Sequence, residues 1–170
     1  LLEGRFKHGF TLLELLVVLA IVAILGALTL PSLLGFNQEH KTEDTAQSLY
    51  YALQYARSEA VLHNTTIYVN FQTGLSWCYG INATSNCNCS VPNSCALQVV
   101  SAPSSLTTTL SATGLTNNSL TFEPTHGASG ARSVLTFTST GSTTAMSVEA
   151  PIMGSVVLCS TTIAGYSACP

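Results

Sequence analysis

The chain has 170 residues, 46% of them hydrophobic and only 8% charged, with a formal net charge of -3. That length holds one modest domain beyond a membrane helix, and five Lys and Arg against eight Asp and Glu leave no basic surplus, which excludes the usual composition of a nucleic-acid binder. Beyond His63 the only formal charges are Glu123, Arg132 and Glu149, so Ser, Thr and Asn must supply the polar surface, a composition that suits a protein outside the cytoplasm.

Residues 1–9 carry Arg5 and Lys7 and end at Gly9, and the apolar run 10–30 follows, interrupted by one acid, Glu14. At about 1.5 Å per residue the run spans roughly 31 Å, close to the hydrocarbon thickness of a bilayer. A carboxylate near the centre of a bilayer costs roughly 2.5 kcal/mol or more, so Glu14 requires a partner. An ordinary secretory signal is cut after small residues beyond its apolar core, and an acid at the start of that core argues against one. Pro31 removes one helical hydrogen bond and predicts a helix that continues with a bend. Polar residues over 37–45 mark the exit from the apolar medium. Leu49, Ala52, Leu53, Ala56 and Ala60 then recur at helical spacing, which predicts an apolar face laid against a sheet and a helix ending near His63 and Asn64.

Next comes β structure. The stretch 65–71 alternates Ile67, Val69 and Phe71 with Thr66, Tyr68 and Asn70, the period of a half-buried strand. Further strands are predicted over 96–101, 119–123, 133–138, 143–149 and 155–160. Residues 139–142 read as a hairpin connection, and 80–95 as a Cys- and Asn-rich loop that needs crosslinks. One long helix followed by a run of strands is an α+β arrangement, with the helix covering one sheet.

The six cysteines, Cys78, Cys87, Cys89, Cys95, Cys159 and Cys169, read as up to three disulfides in an exported head. Cys87 and Cys89 are expected to bridge to different partners, and Cys159 with Cys169 is the one pairing singled out. Their spacings lack the paired C-x2-4-C signature of zinc sites, so no metal and no cofactor is expected. His40, His63 and His126 follow the leader, and His126 with Glu123 is the nearest thing to an acid/base pair. Without a nucleophile elbow, a phosphate-cradling loop or a metal triplet, His126 reads as a loop residue and the chain as a non-enzyme.

The order of basic leader, Gly9, Phe10, Thr11, Leu12, Leu13 and Glu14 resembles the prepilin signal of the type IV pilin family, which includes the pseudopilins of type II secretion. The resemblance implies a pilin-like fold and cleavage after Gly9 by a prepilin peptidase in the inner membrane. It also implies methylation of the new N-terminus at Phe10, and a pairing of Glu14 with the Phe10 amine of a neighbouring subunit that sets filament register. Pro31 falls where the family carries its helix-bending proline. The stretch Tyr55-Ala56-Arg57-Ser58-Glu59-Ala60-Val61 is similar to the Ala-Arg-x-Glu-Ala segment of the FimT, FimU and GspH branch of minor pilins and minor pseudopilins.

The division this implies is a leader over 1–9, a transmembrane and filament-core half-helix over 10–36, an amphipathic half-helix over 37–63, and a disulfide-bearing head over 64–170. The expected protein is a single-pass inner-membrane precursor with a periplasmic head. After assembly with other pilins or pseudopilins it lies in a pilus or at the cell surface. Its expected role is a minor type IV pilin that helps initiate or tip the pilus, with a GspH-like pseudopilin of a type II secretion system as the alternative. A DNA-capturing pilin is a further alternative, but the C-terminal stretch 158–170 has no Arg or Lys where DNA-binding relatives are Arg-rich.

Overall fold

The computed structural model describes residues 11–84, 87–103, 107–125, 127, 129, 131–153 and 155–169, with the backbone alone over 27–36. The chain divides into two compact units, Leu1–Asn37 and Gln38–Pro170.

The first unit holds the start of helix α1, Leu12–His63. Thr11 caps it: the Glu14 amide donates to Thr11 Oγ1 at 3.2 Å, and the Leu15 amide donates to the Thr11 carbonyl at 3.2 Å. Thr at the cap with Glu three residues on is the capping-box sequence, which supplies partners for amides that the helix itself cannot satisfy. From Leu12 to Leu25 the side chains are exposed on every face of the helix, and all but Glu14 are apolar. A helix that is apolar all round needs an apolar medium or other helices about it. Among the described residues no helix is long and apolar enough to cross a membrane. Helical backbone continues through Pro31, while the bend expected there depends on residues outside the full description.

In the second unit the remainder of α1 buries Thr42, Ala46, Leu49, Leu53, Ala56 and Ala60, a repeat of three and four residues that keeps one stripe facing inward. Alanines along the stripe let the helix lie close to what it covers. The helix stops at Asn64, whose φ of 51° is left-handed, and the Thr65 amide turns back to the Ala60 carbonyl at 3.2 Å. This is a Schellman stop, with Asn in the role glycine usually takes.

The strands form two antiparallel four-stranded sheets that share one core with that stripe. The first runs β3-β2-β1-β5, from β1 (Ile67–Gln72), β2 (Cys78–Asn82), β3 (Gln98–Ser101) and β5 (Ser119–Phe122). The second runs β4-β6-β7-β8, from β4 (Thr108–Thr113), β6 (Ser133–Ser139), β7 (Ala145–Ala150) and β8 (Val157–Cys159). One apolar core joins them to the helix, with Leu49, Leu53, Val69, Tyr79, Ile81, Leu120, Leu135, Phe137 and Val148 fully or almost fully buried. Trp77 ties the two sheets together. Its ring meets Phe137 edge-on at 5.1 Å and its Nε1 donates to Thr108 Oγ1 at 3.2 Å.

Strands β2 and β4 differ from the sequence expectation, and each for a physical reason. β2 starts in a segment assigned to no element and runs into the stretch 80–95 read as a loop. It is buried along its whole length because Tyr79 and Ile81 face the core while Cys78, Gly80 and Asn82 lie under the cysteine-rich segment. A strand covered on both faces shows no alternation of apolar and polar residues. β4, Thr-Thr-Leu-Ser-Ala-Thr, inserts one large side chain, Leu110, and is held by six register pairs to β6. Its signal therefore lies in its partner. The β6 to β7 hairpin turns at Thr140 and Gly141 as expected, with Gly141 at a φ of 78°.

Candidate assembly surface and the braced head

Of the residues expected to carry assembly, Gly9 and Phe10 lie outside the described residues, and so does His126. Glu14 stands exposed in the first turn of α1, its amide held by Thr11 and its neighbours Leu12, Leu13, Leu15 and Leu16 all strongly exposed. A single acid on an apolar coat is thus placed at the capped end of the helix.

Three polar contacts fix the second half of α1 onto the strands and loops of its own unit. Ser48 Oγ and Tyr79 Oη lie 3.0 Å apart, joining the helix to β2. Burial pushes the Tyr79 phenol above its ordinary pKa, and the bond from Ser48 opposes that only in part. Tyr166, in the loop after β8, donates to Glu43 Oε1 at 2.5 Å and accepts from Gln47 Nε2 at 3.0 Å. The bond to Glu43, an acceptor that disfavours a phenolate, raises the Tyr166 pKa, and partial burial adds to it. Within the stretch 55–61, Glu59 meets the imidazole of His63 at 3.2 Å. The stem of Arg57 lies against Gly127, where a Cβ would come within 2.7 Å of Arg57 Cγ. Both side chains therefore lie against other parts of the chain as well as solvent.

All six cysteines are paired: Cys78 with Cys89, Cys87 with Cys95, and Cys159 with Cys169. Cys87 and Cys89 go to different partners, and each bridge closes a short loop. Ten residues in a closed loop correspond to roughly 2.7 kcal/mol of chain entropy removed from the unfolded state. The first two bridges clamp the segment after β2 across the outer face of the first sheet. There Asn70 Nδ2 reaches Cys87 Sγ at 3.5 Å, and Gly80 lies directly beneath the Cys87–Cys95 bridge. The third closes the loop that carries Tyr166. Among the described residues no three His, Cys, Asp or Glu are grouped to hold a metal. Glu149, buried on β7, is met by Arg132 Nε at 2.6 Å, a pair inside the second sheet and remote in sequence from the helix.

The family model for type II transport protein GspH matches residues 45–166, from the buried stripe of α1 through both sheets to Tyr166. The chain belongs to the GspH family. The prokaryotic N-terminal methylation motif matches residues 4–30, which contain Gly9, Phe10 and Glu14. Two crystal structures of the type IV minor pilin FimU from Pseudomonas aeruginosa strain PAO1 share the fold. One has a TM-score of 0.56 at 22% identity, covering 72% of this chain and 91% of FimU, and the other a TM-score of 0.53 at 22% identity, covering 68% and 90%. No curated protein matches. As a GspH-family chain this is a minor pilin or pseudopilin, a structural subunit that assembles with others of its kind in a filament.

Sequence reasoning missed the Tyr79–Ser48 and Tyr166–Glu43 contacts. Tyr79 lies just before the stretch 80–95 read as a loop, in a segment assigned to no element. Tyr166 left one usable trace, an aromatic residue inside a short loop between two cysteines.

Proposed function

We propose that this GspH-family chain is a minor type IV pilin that enters the filament at its initiation or tip. It is made with residues 1–9 on the cytoplasmic side of the inner membrane, where Arg5 and Lys7 favour retention. A prepilin peptidase cuts after Gly9 and Phe10 is methylated. Residues 10–36 leave lipid for the filament core, 37–63 carry the head, and 64–170 form it, with Pro31 bending the helix between lipid and head.

The observation that supports this reading best is the all-round apolar coat of α1 with one acid at its capped end, within residues that match the methylation motif. In an apolar helix bundle an unpaired carboxylate carries a large desolvation cost, and the Phe10 amine of the next subunit offsets it only at one register. Glu14 and Phe10 thereby act as a register pin. The description of the matching family favours a second reading, a minor pseudopilin of a type II secretion system. Nucleic acid draws no support from the charge of the C-terminal stretch.

Mass spectrometry of the mature chain should find an N-terminus at methylated Phe10. Glu14→Ala should insert in the membrane normally yet be depleted from sheared filaments. An uncut Gly9, or normal incorporation of Glu14→Ala, would overturn the proposal. Loss of secretion, with surface pili intact, on deletion of the chain would assign it to type II secretion instead.

A further inference from the structure

The outer face of the first sheet is polar and only half covered. Tyr68 and Thr121 stand opposite each other across β1 and β5, and Ser119, two residues before Thr121, shares their face. The disulfide-clamped segment covers Asn70 and Gly80, while Tyr68 stays partly exposed. Thr116 and Asn117 rise beside it from the turn leading into β5. In that turn Asn117 and Asn118 have φ of 53° and 56°, and Thr116 and Ser119 exchange both backbone bonds, at 3.2 and 3.0 Å. A two-residue turn of this kind is a stiff rim. Tyr68, Thr116, Asn117, Ser119 and Thr121, together with Leu120 and Ala131, line a cleft of ≈ 290 Å³.

The lining carries a phenol ring, an amide and three hydroxyls, and no formal charge. Ser119 is 7% exposed, and its Oγ is buried without a hydrogen-bond partner. With under 1 Å² of accessible surface that Oγ lies beneath the cleft, so the groups a ligand can reach are the Tyr68 ring, the Asn117 amide and the hydroxyls of Thr116 and Thr121. Arg132, beside Ala131, is engaged by Glu149 at 2.6 Å. Hydroxyls and amides both donate and accept, as sugar hydroxyls do, and an aromatic face suits the C–H face of a sugar ring. The cleft lies at the small end of ligand sites, which suits a single ring.

We propose that this cleft binds one neutral pyranose residue of a glycan, its ring against Tyr68 and its hydroxyls on Asn117 and Thr121. The site stands independently of the filament role. It makes the head an adhesive surface that selects sugars without charge.

The test is saturation-transfer NMR on the full chain in a zwitterionic detergent free of sugar. The probes are the methyl glycosides of glucose, galactose, mannose and N-acetylglucosamine, with N-acetylneuraminic acid as the charged control. At least one neutral glycoside should show transfer at about 10 mM, as a millimolar site requires. Tyr68→Ala should abolish it, and Thr121→Val should weaken binding by up to roughly tenfold, as loss of one hydrogen bond does. Asn117→Gly, which keeps the left-handed backbone while removing the amide, should act like Thr121→Val. Near-ultraviolet circular dichroism at Trp77 reports whether each variant is folded. No transfer to any neutral glycoside, transfer to the acidic sugar alone, or equal transfer with folded Asn117→Gly and Thr121→Val would overturn the site.

Discussion

Gly80 is the residue on which the packing of the disulfide segment can be weighed most directly. A Cβ there would overlap Cys95 Sγ and crowd Cys95 Cβ at 3.1 Å and Cys87 Sγ at 3.3 Å. All three atoms belong to one bridge closed over a sequence separation of 8, so no flexible side-chain end can swing aside. Overpacking of this kind costs about 1–3 kcal/mol. Alanine in a strand recovers about 0.5–1 kcal/mol through the lower entropy of the unfolded chain. Gly80→Ala should therefore lose about 1–2 kcal/mol, a fall in Tm of about 2–8 °C. The assay is thermal melting of the full chain, followed at Trp77, in a double-mutant cycle with Cys87→Ala and Cys95→Ala together. Replacing both cysteines takes away the two Sγ atoms and leaves only the Cβ of residue 95 close by, so Gly80→Ala in that background should be far less destabilising, giving a coupling of about 1 kcal/mol. Equal destabilisation with and without the bridge would show that the backbone at position 80, rather than the bridge above it, demands glycine.

Folding holds the Tyr79 and Tyr166 phenols protonated beyond the ordinary tyrosine pKa of about 10. The stability they add is whole below that value and is lost as pH rises through the folded-state pKa. Urea midpoints should thus decline from about pH 9 to about pH 11, and the decline should shrink in Tyr79→Phe; an unchanged slope would remove Tyr79 as its source. Tyr166→Phe removes the bonds to Glu43 and Gln47, a loss of about 1 kcal/mol at this partly exposed site. The Cys159–Cys169 bridge should then be reduced several-fold faster by dithiothreitol while Cys87–Cys95 is unaffected, and equal acceleration of both would mean the whole head has loosened. Glu14→Ala completes the set, with depletion from filaments as its readout.

The sequence by itself determined what depends on near neighbours. The stripe Leu49, Leu53, Ala56 and Ala60, the stop at Asn64, the alternation of β6 and the β6–β7 hairpin rest on periodicities of two and 3.6 residues or on single turns, so each is written where it occurs. The motif around Gly9, Phe10 and Glu14 is equally local, and it pointed to the pilin family before any contact was known. Tertiary structure decided the division into two sheets, the existence of β2 and β4, the pairing of Cys78 with Cys89 and Cys87 with Cys95, and the cleft beside Tyr68. Tyr166 meets Glu43 across 123 positions, and Trp77 meets Phe137 from the other sheet. Such contacts leave no period in either segment alone. A strand buried on both faces, or one whose polar residues are satisfied by a distant partner, can be read only when that partner is in place.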